Sequence, residues 1–386
     1  NLTVTGTVNQ GINTSVTGNY NQTGGTYNQN TGATAHSLTV TGNFSMSGSS
    51  VFNMQTTSTG TGATTTVNGA TGTTLSGTAR IAMDSGGATA SNISVFQTTN
   101  FTSSSTANSS TGIIDFGNEG NAKNNQFRIS GNCSKTGTTG RFYTSASVVN
   151  GGFVFNGPGT TQTVSITACV DASRSEYYNI TVNSGSVVQL ATALKLGTEL
   201  DPTSSMTVNG TLDTQTFTVS GGDSGVFTLA SGATLITGNT NGIVSTTVGA
   251  ISTSIATRTF NAGANYIFDG AANQTANFGN TAINNLTISN TAGSVTLNAA
   301  ITANAVTINS SGSLTAGSFT HLISGNWTKD GGTFVPGSGT ISFNGASQTI
   351  GGTSTSNNFN NLLLSGGNKT FSKQVAVSGN LSITSG

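Results

Sequence analysis

Charge is the first thing this chain lacks. Lys and Arg number 11 and Asp and Glu number 11 among 386 residues, so charged residues make up 6% of the chain and the formal net charge is +0. A typical soluble domain has about 25% charged residues. No cluster of Lys or Arg occurs, and such clusters are what attract nucleic acid and anionic membranes. We therefore expect no nucleic-acid partner.

Long hydrophobic runs are also missing. The run Leu362–Leu364 is far shorter than the ~20 apolar residues of a membrane-spanning helix, so we expect no membrane insertion. The chain opens at Asn1 without a basic-then-apolar leader. We interpret it as a processed or excised chain whose export signal has been removed.

Cysteine is limited to Cys133 and Cys169. Neither has a nearby His, so their spacing does not indicate a metal site. In an exported protein the two would form one disulfide, and the alternative is a pair of buried free thiols.

Thr, Ser, Asn and Gly, the last with 53 residues, take the place of charge. Only 3 prolines occur, and disordered chains usually combine low hydrophobicity with charge or abundant proline. In stacked β-coils, equivalent side chains lie ~4.8 Å apart, where like charges repel and Thr, Ser and Asn form hydrogen-bonded ladders. The composition therefore favours a β-solenoid.

Internal repeats support the same fold. A block with Phe-Asn-Gly at 343, Gln-Thr at 348 and Asn-Asn-Leu at 360 echoes an earlier block with Phe-Asp-Gly at 268, Gln-Thr at 274 and Asn-Asn-Leu at 284, an offset of about 75 residues. A more divergent copy begins with Phe-Asn-Gly at 155. Short apolar–polar–apolar triplets separated by Gly, Asn and Ser predict coils of about 20 residues. Tandem β-sandwich domains of about 75 residues are the alternative.

Three regions follow along the chain. We expect irregular solenoid coils over 1–112, a charged loop or insertion over 113–143, and a regular solenoid over 144–386, with related blocks at about 153–220, 266–340 and 341–386. The charged segment is our candidate for a lateral contact, and an irregular coil is its alternative. Its contact residues would be Asp115, Glu119, Lys123, Arg128 and Arg141.

The two ends resemble each other, with Asn-Leu-Thr-Val-Thr-Gly at 1–6 and Asn-Leu-Ser-Ile-Thr-Ser-Gly at 380–386. Solenoids normally carry polar caps, and no cap is visible in either segment. We expect either a longer repeat array that continues this chain or end-to-end self-association. In the second case the contact would be made by Leu2, Val4, Leu381 and Ile383.

The segment 343–386, with its Phe-Asn-Gly, Gln-Thr-Ile-Gly-Gly and Val-Ala-Val-Ser-Gly-Asn-Leu, resembles the repeats of very large secreted surface proteins of Bacteroidetes-type bacteria and, more loosely, filamentous-haemagglutinin-like adhesins. This resemblance implies a right-handed parallel β-helix, a location at the bacterial cell surface and a role in adhesion, motility or extracellular fibres, with host or surface glycans as partners. It brings no catalytic residues.

Searching for chemistry yields no catalytic, cofactor-binding or metal-binding residues, and we expect no cofactor. Gly-Asp-Ser-Gly at 222–225 resembles a serine-protease nucleophile turn, but neither of the two histidines, His36 and His321, lies in a protease-like context. We therefore interpret the chain as a structural, non-catalytic extracellular fibre or filament subunit. The alternatives are an adhesin stalk that presents a binding domain, a glycan-active β-helix enzyme, and an ice-binding protein.

Overall fold

The computed structural model describes residues 1–32, 34–56, 62–83, 93–107, 112–116, 124–137, 140, 142–143, 151–166, 179–196, 204–221, 225–244 and 247–384. Within these residues the chain forms short strands and no helix. No helix that is long and apolar enough to cross a membrane is therefore found there.

Twenty-two strands lie between residues 2 and 196. They are β1 (Leu2–Val4), β2 (Thr7–Asn9), β3 (Thr14–Val16), β4 (Tyr20–Gln22), β5 (Thr26–Asn28), β6 (Ser37–Val40), β7 (Phe44–Met46), β8 (Val51–Asn53), β9 (Thr64–Val67), β10 (Thr73–Leu75), β11 (Arg80–Ala82), β12 (Val95–Thr98), β13 (Phe101–Ser103), β14 (Ile114–Asp115), β15 (Gln126–Ile129), β16 (Cys133–Lys135), β17 (Phe142–Tyr143), β18 (Gly152–Phe155), β19 (Thr161–Ile166), β20 (Asn179–Val182), β21 (Val187–Leu190) and β22 (Leu194–Leu196).

The remaining strands of the described chain lie between residues 205 and 383. They are β23 (Ser205–Val208), β24 (Thr211–Asp213), β25 (Val219–Gly221), β26 (Val226–Leu229), β27 (Thr234–Thr237), β28 (Thr257–Phe260), β29 (Asn265–Phe268), β30 (Gln274–Ala276), β31 (Ala282–Ile288), β32 (Val295–Leu297), β33 (Thr302–Ile308), β34 (Ser313–Thr315), β35 (Thr320–Ile323), β36 (Trp327–Lys329), β37 (Thr333–Val335), β38 (Thr340–Phe343), β39 (Ser347–Gly351), β40 (Ser356–Phe359), β41 (Asn361–Leu364), β42 (Asn368–Phe371), β43 (Gln374–Val377) and β44 (Leu381–Ile383).

The chain divides into two compact units. The first comprises Asn1–Thr207, Ser220–Phe227 and Ser254–Thr257, and the second comprises Val208–Val219, Thr228–Thr253 and Arg258–Gly386.

The first unit is a stack of coils with three parallel sheets. Each coil contributes one strand to each sheet, in the orders β1-β4-β7-β10-β13-β16-β19-β21, β2-β5-β8-β11-β14-β17 and β3-β6-β9-β12-β15-β18-β20. Beside the first sheet, the sequence separation between hydrogen-bonded coils ranges from 18, between Asn1 and Asn19, to 32, between Asn100 and Asn132. The coils of this unit are therefore mostly longer than predicted, because the segments between strands vary in length.

The second unit has more regular coils. One column of inward-facing residues runs through Tyr266, Leu286, Val306, Trp327 and Ile350. The side-chain hydrogen bonds beside this column join residues separated by 20 along the sequence, as Asn285 and Asn265 are, to 23, as Thr349 and Asn326 are. A second series of parallel strands follows the order β33-β35-β38-β41-β44, and a third follows β30-β32-β34-β37. Here the coil length predicted from the sequence is confirmed.

Parallel pairing between coils confirms the all-β parallel solenoid. It also shows that the alternative of tandem β-sandwich domains is wrong, since such domains are built from antiparallel strands. The right-handed twist of the coils stays a prediction.

Alternating burial along the strands builds the core. In β7, Phe44 and Met46 are buried, while Ser45 between them faces outward. In the first unit the inward positions of neighbouring coils stack aromatic rings, with Tyr20 on Phe44 at a centroid distance of 4.3 Å and Phe96 on Phe127 at 5.0 Å. Five of the aromatic residues expected in the core are buried, and one, Phe334, is half-buried. The buried ones are Phe153, Phe155, Phe268, Trp327 and Phe343.

Four strands, β14 to β17, occupy the charged segment 113–143 and pair with the coils on either side. Its described residues are therefore parts of coils. An insertion between Phe116 and Asn124 stays a prediction, because residues 117–123 lie outside the described residues.

Candidate functional site

The polar contacts between coils are the most regular chemical feature of this chain. They begin with a three-residue pattern of Asn, an apolar residue and Ser or Thr. In Asn43-Phe44-Ser45, the Asn43 Oδ1 accepts a hydrogen bond from the backbone N–H of Thr71 in the next coil at 3.1 Å. Phe44 enters the core and Ser45 faces outward. One pattern thus supplies a contact between coils, a core side chain and a surface hydroxyl.

The same Asn contact recurs in both units. In each case Oδ1 accepts a backbone N–H one coil further on, at 2.7 to 2.9 Å. The pairs are Asn1 with Asn19, Asn100 with Asn132, Asn132 with Thr163, and Asn326 with Thr349. The pattern coincides with the Asn-x-Ser/Thr acceptor of N-glycosylation. Its frequency in this chain has a structural cause, since it is the repeating element of a coil.

A second ladder joins Asn side chains directly. Asn28 Nδ2 donates to Asn9 Oδ1 at 2.8 Å, and Asn53 Nδ2 donates to Asn28 Oδ1 at 2.8 Å. The three residues occupy one register position on β2, β5 and β8. Ala82 takes the next position, and Asn53 Oδ1 is buried without a hydrogen-bond partner in the described chain. The ladder therefore ends where the sequence stops supplying an amide.

Buried glutamines close the turns that follow the Phe-Asn-Gly and Phe-Asp-Gly triplets. Gln348 Oε1 accepts the backbone N–H of Gly345 at 2.8 Å, and its Nε2 donates to the carbonyl of Ile323 at 2.9 Å and to that of Gly325 at 2.5 Å. One side chain thus fixes its own turn and joins it to the preceding coil.

The other two blocks repeat this arrangement. Gln274 accepts from Gly270 N–H at 2.9 Å and donates to the carbonyls of Thr237 and Asn239, while Gln162 accepts from Gly157 N–H at 3.0 Å and donates to those of Ile129 and Gly131. Sequence analysis identified the Gln-Thr repeats but gave the glutamines no role. Their recurrence shortly after a Gly in all three blocks is the signal that would have identified them.

The glycine of the turn is required by close approach. A Cβ on Gly345 would overlap the carbonyl oxygen of Ser324, and one on Gly157 would overlap that of Ser130. Because backbone atoms fill the space, only Gly lets the turn approach the preceding coil this closely.

Cys133 lies at an inward position of β16, between Phe101 and Val164. Its thiol is free and fully buried, and burial raises its pKa to about 12. Cys169 lies outside the described residues, so a disulfide between the two stays a prediction.

The expected lateral contact is only partly described. Asp115 is buried, with 6% of its surface exposed, and Arg128 is half-buried on the outer face of β15, where its Nε donates to Gln126 Oε1 at 2.8 Å. Glu119, Lys123 and Arg141 lie outside the described residues. The structure therefore does not bring the five residues together as one described surface.

The expected end contacts differ in exposure. Val4 is buried and Leu2 is half-buried, whereas Leu381 is 55% exposed and Ile383 is 72% exposed. Ile383 and Phe371 line a cavity of about 260 Å³ together with Leu364 and Lys369. Apolar side chains on β42 and β44 are thus accessible to a further layer.

An acidic pair, Asp213 and Asp269, lies in the second unit. Asp213 accepts hydrogen bonds from Gln215, through Oδ1 from the backbone N–H at 2.9 Å and through Oδ2 from Nε2 at 2.7 Å. These bonds hold Gln215 in the left-handed region, at φ 51°. Burial, and secondarily the Asp213 charge, raises the pKa of Asp269, against which a backbone hydrogen bond acts. The Asp213 carboxylate thus fixes a local turn.

No group of three or more His, Cys, Asp or Glu side chains in the described part of the chain is placed to hold a metal ion. Asp223 and Ser224 of the protease-like tetrapeptide lie outside the described residues.

In comparisons with protein families, curated proteins and solved structures, no family model, protein or structure matched this chain.

Proposed function

We propose that this chain is a structural, non-catalytic subunit of an extracellular fibre, in which the parallel β-solenoid is the mechanical element. The observation that carries the proposal is the use of polar side chains between coils. Asn and Gln residues, which are the common polar groups of these contacts, hold one coil to the next in both units. A body joined in this way at each coil resists extension because many hydrogen bonds share the load.

End-to-end association is the part of this proposal that makes a filament. Its support is the exposed apolar surface of Phe371, Leu381 and Ile383 beside strands whose coils stack in parallel. Residues 380–383 repeat the Asn-Leu-Ser/Thr pattern of residues 1–3, so a second copy placed on β44 would continue the same rung chemistry. Further coils of a longer natural chain would cover the same surface.

Electron microscopy and sedimentation velocity over a range of protein concentrations test the filament. We expect filaments of variable length with the unmodified chain, and their loss in Leu381→Asp, because a charge would be buried in the contact. The matched control is Val335→Asp, which changes another apolar residue, 44% exposed, and should still form filaments. A monodisperse monomer at every concentration, or filaments unaffected by Leu381→Asp, would contradict end-to-end assembly.

An adhesin stalk that presents a binding domain is the second candidate, and the same scaffold supports it. A stalk would remain monomeric in these experiments, and binding to host or bacterial-surface glycans would reside in another part of the full-length protein. Location at a bacterial cell surface is part of both proposals. Labelling of intact cells with antibodies against this chain tests that location.

A further inference from the structure

His321 is a titratable side chain in an apolar interior. It lies at an inward position of β35, in register with Ile341 and Leu362 of the following coils, and 1% of its surface is exposed. The ring borders a cavity of about 10 Å³, no more than a single water occupies. Its lining is apolar and includes Leu286, Ile301, Leu314, Ile323, Trp327 and Phe334.

Both ring nitrogens are used by backbone groups. Nδ1 accepts a hydrogen bond from the N–H of Ile301 at 3.3 Å, and Nε2 donates to the carbonyl oxygen of Ala316 at 2.9 Å. A ring that accepts at one nitrogen and donates at the other is the neutral imidazole, with its proton on Nε2. The closed arrangement therefore requires an uncharged ring.

Protonation removes that arrangement. A proton on Nδ1 would face the Ile301 N–H, so two donors would oppose each other and a charge would lie among apolar side chains. None of the residues that line this cavity carries an acidic group to balance the charge. The charged residues nearest along β36 are engaged elsewhere: Lys329 Nζ donates to the Ser356 carbonyl and Asp330 Oδ1 accepts the Thr353 N–H.

We propose that His321 is an acid-sensitive latch, which keeps the coils from Ile301 to Ile341 closed at neutral pH and lets them open in mild acid. Burial lowers the pKa of His321, and the hydrogen bond to Ala316 opposes this shift. Because the folded-state pKa lies below the unfolded value of about 6.5, the unfolded chain binds more protons at lower pH. Stability is therefore fully present above about pH 6.5 and falls as the pH drops below it.

Hydrogen exchange by mass spectrometry on the full chain at pH 7.5, 6.5, 5.5 and 5.0 tests this latch, after correction for the intrinsic pH dependence of exchange. We expect the opening constant of peptides covering 301–323 to rise toward the limit of about tenfold per pH unit that one proton allows. Peptides covering 43–46, which contain no histidine, should not change. An unchanged opening constant at 301–323, or an equal rise in both regions, would overturn the proposal.

Two variants separate the histidines, of which the chain has 2. His321→Leu should lose the acid response, and His36→Gln should keep it, because only the backbone carbonyl of His36 is used, by Gln29. If His321→Leu folds and retains the response, the proposal is wrong.

If His321→Leu does not fold, the His36→Gln variant alone is decisive. It carries a single imidazole, whose ¹H–¹³C signal can be followed with pH. We expect that signal to remain that of a neutral ring until the coils open. A ring that titrates near pH 6.5 within closed coils would contradict the latch.

Discussion

Buried polar side chains in this protein are stabilised residue by residue, according to whether a neighbouring group accepts or donates. Tyr20 and Tyr266 illustrate the difference, since both are fully buried at inward positions. The Tyr20 hydroxyl donates to Gln22 Oε1 at 2.8 Å, whereas the Tyr266 hydroxyl has no hydrogen-bond partner in the described chain. Burial raises the pKa of both phenols. Equal burial therefore has unequal energetic consequences.

Tyr266→Phe should increase the free energy of unfolding by about 1 kcal/mol, because it removes a buried hydroxyl that lost its water without gaining a partner. Tyr20→Phe is the matched control and should decrease stability by a similar amount, since it leaves Gln22 Oε1 without this donor. Urea denaturation of the two variants measures both changes. Equal destabilisation by both would contradict this account of Tyr266.

At the scale of elements, the strand pattern was predictable and the turn chemistry was not. Alternation of apolar and polar residues correctly predicted short strands with one buried face, as in Leu286-Thr287-Ile288 of β31. The role of Gln348 was missed, because its amide nitrogen donates to two carbonyls of the preceding coil, those of Ile323 and Gly325. Sequence pattern identifies a repeated amide but does not specify which coil receives its hydrogen bonds.

Gln348→Ala should lower the free energy of unfolding by about 3 kcal/mol, because it leaves one buried N–H and two carbonyls without this partner. Gln374→Ala replaces the same residue type at an exposed position of β43 and should change stability by less than about 0.5 kcal/mol. Urea denaturation followed by circular dichroism compares the two. A loss that is equal in both variants would mean that turn closure contributes nothing specific.

At the scale of each unit, the parallel solenoid was predictable from composition and repeats, and the length of each coil only in part. The sequence repeat that relates Phe268 to Phe343 does not bring them to the same column, since Phe268 pairs with Ile288 whereas Phe343 pairs with Ile323 and Leu364. The repeat therefore marks a turn motif that is reused at different corners of the coil. In the first unit, variable segments between strands hide the coil length from any fixed sequence period.

Stretching single molecules of the full chain by atomic force microscopy tests most directly whether each coil is a separately held layer. The account predicts a series of force peaks with contour-length increments of about 7 nm for the coils between Tyr266 and Ile350, rising to about 11 nm for the longer coil between Phe101 and Cys133. Uniform increments of about 26 nm, as expected of sandwich domains of about 75 residues, or extension without force peaks, would contradict it.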